Sequence, residues 1–155
     1  MPEHNINWDL PNPFTLSLAP QPEDIDGLGH TNNAVYVQWC EQAGWAHSMA
    51  LGLSVEDYRR LDRGMAIRRG EYSYLLPTTE AEPLVLGTWL LPGKSSLSAY
   101  RCFQLVRLSD LSTVLRGRWD LVCIELSSGR PKRFPAEFKD AYQSAMVTVD
   151  QLPDL

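Results

Sequence analysis

Asp24-Ile25-Asp26-Gly27-Leu28-Gly29-His30-Thr31-Asn32-Asn33 runs straight into residues 34–51, a segment with few polar positions. Two carboxylates, two glycines, a histidine and two asparagines therefore stand at the entrance of a predicted helix. That mixture suits chemistry, and it suits equally a turn followed by a helix cap. Beyond it Tyr36, Trp39, Cys40, Ala43, His47 and Ala50 recur at spacings of three and four, as on one helix face. The remaining positions form only a narrow mixed stripe, so the helix is expected to be mostly enclosed. Asn32 or Thr31 can cap its start, and Gly52 sits where a left-handed residue would end it. Ser54-x-x-Asp57 reads as a capping box for a short second helix reaching Leu61.

Around this helix the chain reads as strands. Residues 14–18 alternate apolar with small polar side chains, the period of a half-buried strand. Residues 66–75, 84–91, 97–108 and 113–126 are further strands, separated by polar, proline- or glycine-bearing turns. In the first of these, Ile67, Tyr72 and Tyr74 are the expected inward positions. A short helix is expected over 135–146. The chain is read as a single domain over 1–155, with a core of about 14–146 and loosely ordered tails at 1–12 and 148–155. One enclosed helix preceded by a strand and followed by four antiparallel strands implies an α+β architecture, a curved antiparallel sheet wrapped around a long central helix.

The bulk numbers narrow the function. The 155 residues carry 14 basic and 19 acidic side chains, net charge −5, which argues against a nucleic-acid partner. No apolar run approaches the ~20 residues of a membrane span, and the polar, proline-punctuated first twelve residues are not a signal peptide. Cys40, Cys102 and Cys123 are odd in number and widely spaced, so they are read as reduced core residues of a cytoplasmic protein. The glycines at 27 and 29 lack the third glycine of a dinucleotide fingerprint, and no serine-nucleophile or phosphate-loop signature occurs. His4, His30 and His47 have no partner at metal-ligand spacing, so no metal is expected.

Asp26 remains. As a turn former it needs no further role. As a functional group it stands beside the unpaired amides and positive dipole end of the following helix, around Asn32, Asn33 and Ala34. Such donors can stabilise an oxyanion, and a nearby carboxylate can attack the carbonyl or deprotonate a water. His30 is either an orienting or proton-transfer group, or a side chain tying the turn down. Asp24 reads as a structural turn carboxylate.

The pattern Asp24-x-Asp26-x-x-Gly29-His30-x-Asn32-Asn33-x-x-Tyr36, continuing to Trp39 and Glu41, resembles the signature of the 4-hydroxybenzoyl-CoA thioesterase-like family of hotdog-fold proteins. The likeness runs along roughly residues 14–140. It includes the segment from Tyr72 to Pro77, Ser95-Ser96-Leu97, and Arg130-Pro131-x-Arg133-x-Pro135. The resemblance implies an acyl-CoA thioesterase with Asp26 as nucleophile or general base, the Asn33 amide polarising the thioester, and Gly29 allowing close approach of the ligand. Asn32 and Tyr36 fall among the implied substrate-contacting positions. His30 and Asn32 are common in the wider family but differ from its aromatic-substrate type member. A related branch uses a carboxylate on the central helix, which makes Glu41 the rival of Asp26.

Arg130 and Arg133 head a basic cluster expected to meet the phosphates of CoA, and Arg101 is among the other candidates. A solvated strand edge is the alternative for each. The expected partner is an acyl-CoA or acyl-carrier-protein substrate, with CoA as part of the substrate and no cofactor. A homodimer or homotetramer with the site at the subunit interface is implied. Hydration or dehydration of an enoyl thioester, and non-catalytic acyl-CoA binding, are the competing readings. Trp39, Trp45, Trp89 and Trp119 either line a pocket or fill the core.

Overall fold

The structure is a computed structural model that describes residues 5–155. A first strand β1 (Phe14–Leu18) leads through a 3-10 turn (Pro22–Asp24) into the long helix α1 (Asn33–Ala50). A short helix α2 (Val55–Leu61) follows, then four strands: β2 (Arg63–Tyr74), β3 (Leu84–Pro92), β4 (Ser98–Arg107) and β5 (Ser112–Glu125). Helix α3 (Ala136–Ala145) closes the sequence of elements. The sheet order is β1-β3-β4-β5-β2, every pairing antiparallel. Sheet and central helix together make the hotdog arrangement of the α+β class.

Local chemistry sets the helix ends. The Asn32 side chain accepts from the Ala34 amide at 3.0 Å, satisfying one of the orphan donors at the start of α1. At the other end Gly52 takes φ +88°, open to glycine without a Cβ penalty. The Ser54–Asp57 capping box forms as the spacing requires.

One face of the sheet packs on α1. Val35, Tyr36, Trp39, Cys40 and Ala43 of the helix meet Leu84, Leu86, Phe103, Leu105 and Trp119 of the strands. A second cluster seats α2 and α3 through Tyr58, Phe138 and Tyr142 against Leu90 and Cys123. All three cysteines are buried and free, and burial pushes the thiols of Cys102 and Cys123 up to about 11.

β2 departs from expectation in burial rather than direction. A bulge between Ile67 and Arg69 keeps Ile67 and Tyr72 on the helix side of the strand. Yet Ile67 is 43% and Tyr74 46% exposed, because β2 is an edge strand with no neighbour beyond it.

The expected loose tails are a correction. Leu10 is buried and Trp8 packs beside it on the outer face of the sheet, with Trp89, Leu91, Tyr100 and Cys102. Val147, Val149 and Leu152 join the same cluster from the other end of the chain. Trp8 meets Trp89 edge-on at 5.8 Å, and Gly87 makes the room, since a Cβ there would lie 2.7 Å from the Trp8 ring. Polar ties hold both segments: Trp89 donates to Pro11 O, the Asp9 carboxylate pairs with Arg116, and the Val147 amide donates to Leu90 O. Residues 1–4 of the expected tail lie outside the described residues. Among the described residues no helix is long and apolar enough to cross a membrane.

Candidate active site

The turn before α1 is closed by the Asp26 amide donating to the His30 carbonyl and by a bridge between Ile25 and Thr31. Asp26 Oδ1 accepts from the amides of Leu28 (2.8 Å) and His30 (3.3 Å), which fixes the carboxylate as the centre of the turn. Gly29 sits at φ +80°, where a side chain would be strained. Asp26, Gly29, His30, Asn32 and Asn33 are all exposed. The Asn33 amide has no protein acceptor among the described residues, whereas Ala34 donates to Asn32 and Val35 to the Asn32 carbonyl. Asp24 has the structural role expected of it, accepting from the Gln21 amide through its side chain and from Asn32 through its carbonyl.

Behind this exposed entrance lies a buried anchor that the motif did not reveal. Thr31 Oγ1 and the Tyr36 hydroxyl both bond Thr78 Oγ1, at 2.7 and 2.8 Å. Thr78 is fully buried and belongs to the loop between β2 and β3. The Tyr36 hydroxyl is thus engaged in holding the helix entrance, and the ring packs on Trp39 and Tyr74. In the sequence Thr78 is one polar residue of a polar loop, so only the fold exposes its part.

Along the second half of α1, about 12–22 Å from Asn33 at about 1.5 Å per residue, the chain has a cavity of about 350 Å³. Glu41, Trp45 and Ser48 of α1 line it, facing Met65 and Ile67 of β2 and Leu121 of β5. Asp26 lines neither this cavity nor the smaller one on the outer face. Within one protomer the structure therefore brings Asp26, Gly29, His30 and the Asn33 amide together and leaves them apart from the cavity. Glu41, the rival carboxylate, stands in the cavity wall with an exposed side chain. Trp45 and Trp119 line the cavity, while Trp39 and Trp89 fill core.

The basic residues divide. Arg130 and Arg133 are exposed beside the last residues of β5, near the cavity end of α1 and away from Asp26. Arg101 is 3% exposed, buried on the helix side of β4, so it offers no surface contact for a CoA phosphate. Its Nη1 donates to His47 Nδ1 (2.9 Å) and Thr88 Oγ1 (3.1 Å). The signal for it was in the sequence: a single charge in the middle of the apolar run from Ala99 to Val106.

Comparisons with known proteins bear on the fold and the family. A 1,4-dihydroxy-2-naphthoyl-CoA thioesterase from Synechocystis superposes with a TM-score of 0.77 at 16% identity, over 85% of this chain and 96% of that one. A Staphylococcus aureus protein solved in complex with CoA superposes with a TM-score of 0.80 at 16% identity, over 96% and 94%. At these identities the likeness is one of fold. In sequence, a chloroplastic acyl-acyl carrier protein thioesterase of Arabidopsis thaliana is 20% identical over 127 residues, 82% of this chain. The chain spans 66% of that relative, just under two thirds of its length. The family model of the thioesterase-like superfamily matches residues 20–142, from the turn before the Asp26 motif to the last turn of α3, and the chain belongs to that superfamily.

Proposed function

We propose that the protein, a thioester hydrolase by its superfamily, splits an acyl-CoA into a free acid and coenzyme A at a site completed by a second copy of the chain. The observation that carries this reading is the exposed Asp26 carboxylate at the same helix entrance as the unoccupied Asn33 amide. An amide at the positive end of α1 polarises the thioester carbonyl and holds the oxyanion. Asp26 attacks the carbonyl carbon or takes a proton from the attacking water. Gly29 keeps the turn free of side-chain bulk, and His30 orients the ligand or relays a proton. The likeness of the motif to the 4-hydroxybenzoyl-CoA group gives Asp26 this role ahead of Glu41. The CoA complex of the Staphylococcus aureus relative supports CoA as the thiol. The name of the plant relative keeps acyl carrier protein as the alternative. CoA enters as part of the substrate.

The second copy follows from the free edge of β2. Its Tyr74 end lies beside Asn33, whose carbonyl accepts from the Tyr74 hydroxyl, and its Arg63 end lies in the cavity wall. Antiparallel pairing of two β2 edges about a two-fold axis sets the helix entrance of one protomer beside the cavity of the other. The Arg130–Arg133 cluster of one copy then lies on the same side of the pair as the Asp26 turn of the other, where it can meet the phosphates at the far end of the pantetheine arm.

Thiol release from a panel of aromatic, short, medium and long acyl-CoAs tests the assignment. Asp26→Asn is expected to fold normally, because an amide oxygen still accepts from Leu28. Its turnover should drop by about 10²–10⁴-fold. Turnover at the parental rate in this variant, together with loss of turnover in Glu41→Gln, would move the role to Glu41.

A further inference from the structure

The cavity beside α1 has a chemical asymmetry that the hydrolytic site does not use. Its walls are mostly hydrocarbon and aromatic, including Trp45, Met65, Ile67 and Leu121, with Glu41, Arg59 and Arg63 also in the lining, and the buried Arg101 stands among them. Gly44 of α1 packs beside it, the position of a Cβ there lying in ordinary contact distance, 3.8 Å, of Arg101 Nε.

None of the ion pairs among the described residues includes Arg101. Its two hydrogen bonds both leave from Nη1, to the neutral acceptors His47 and Thr88. Nε and Nη2 donate to no protein acceptor among the described residues. No buried side-chain nitrogen or oxygen among the described residues is left without a partner, so these two nitrogens open onto the cavity.

Of the other polar groups there, the hydroxyls are spent on one another, Arg59 pairs with Glu56, Arg63 donates to backbone carbonyls, and Glu41 stands exposed in the wall. Ser48 Oγ donates to Leu53 O, so the hydroxyl of Tyr58 must donate to Ser48 and that of Tyr142 to Tyr58. The Trp119 indole donates to the Tyr72 hydroxyl. What is left over is a forked pair of donors on a cation that faces the cavity, with no ion-pair partner among the described residues. Such a charge is costly to bury unless an anion meets it. A carboxylate matches the guanidinium fork by charge and by geometry.

We propose that this cavity receives the far end of the acyl group and that Arg101 binds a carboxylate there, so the preferred thioesters are those of short dicarboxylic acids. The substrate class rests on the hydrolase reading above; the anion pocket does not. A volume of about 350 Å³ holds about ten water-sized groups, enough for a six-carbon chain and its terminal carboxylate. Arg101 is then a specificity-determining residue whose charge is neutralised only by the right acyl chain. A methyl-ended chain of the same length leaves it unpaired, the situation in which polar sites discriminate most strongly.

Two measurements separate the parts. Calorimetry with heptanoate and 1-heptanol reads the pocket alone: heptanoate should bind the wild type and lose at least tenfold in affinity in R101M, while the alcohol should not follow. Equal heptanoate affinity in the two proteins overturns the anion pocket. The ratio of kcat/KM for adipoyl-CoA over hexanoyl-CoA reads the substrate class, with at least tenfold expected for the wild type and a ratio near one for R101M. Hydrolysis that favours hexanoyl-CoA in the wild type overturns the substrate class alone. No hydrolysis of any acyl-CoA overturns the hydrolase reading and with it the substrate class. Should R101M fail to fold, R101K keeps the charge without the fork, and loss of the heptanoate and adipoyl preferences in R101K is then the expected result.

Discussion

His47 illustrates how much of this interior depends on one residue staying uncharged. Its Nδ1 faces the Arg101 Nη1 donor and its ring stacks on Phe14 at 4.8 Å, so the imidazole must be neutral with its proton on Nε2. Burial first, and then the positive charge of Arg101, pull its pKa down to about 4. In the unfolded chain the same histidine titrates near 6.5. Between those values the unfolded state binds more protons than the folded one, so stability falls as pH falls. The contribution is whole above about 6.5 and gone below about 4. The urea midpoint should therefore decline from pH 7 to pH 4.5. The decline should be shallower in His47→Gln, which can still accept from Arg101. A flat wild-type midpoint across that window would contradict the pairing. On the sequence His47 reads as one more position of the helix face, which is correct for its burial. Its partner is 54 residues away on β4, and no local pattern reports that contact.

Among the elements, α1 was the most legible, because its period, its cap at Asn32 and its Gly52 terminator all point the same way. β2 was the least. Alternation tells which side of a strand a residue faces, and Ile67 and Tyr72 do face α1. Whether they are covered depends on the position of the strand in the sheet, which alternation does not carry. An edge of 12 residues with a row of unpaired backbone groups is a template for another strand. The ion pairs along it, such as Arg68 with Asp120, are exposed and contribute about 0–1 kcal/mol each, too little to substitute for a strand partner. Sedimentation should accordingly give twice the mass of the chain. Amides on the free side of β2 should exchange slowly in that species and quickly once dilution separates it. A monomer, or a dimer whose free-side β2 amides exchange quickly, would exclude the pairing invoked for the Asp26 site.

At the scale of the whole molecule the two chain ends matter more than their composition suggests. Trp8, Leu10, Val147, Val149 and Leu152 are isolated apolar residues among prolines and polar neighbours, with no period to read. The pertinent signal lay elsewhere, in the run from Leu84 to Leu91, apolar but for Gly87 and Thr88. A strand carrying large apolar side chains at both odd and even positions, as here at 84, 86 and 90 and at 85, 89 and 91, is buried on both faces, so something must cover the side away from α1. Truncation of residues 147–155 strips three apolar side chains and the bond from Val147 to Leu90 from that cover. At about 1.5–3 kcal/mol for a fully buried side chain, and less for these partly buried ones, the loss should be about 3 kcal/mol. Thermal denaturation and the binding of a hydrophobic dye to the newly bared Trp89 and Tyr100 would measure it; an unchanged midpoint would show the cover to be dispensable.

The same covering decides where larger assemblies can grow. Two pairs of subunits stacking back to back would need the ground on which Trp8, Leu10 and residues 147–153 already sit. Those segments act as tethered competitors, present at the high local concentration that covalent attachment confers. Any higher-order association on that side must evict them first, so a shortened chain would be more prone to pair there than the intact one.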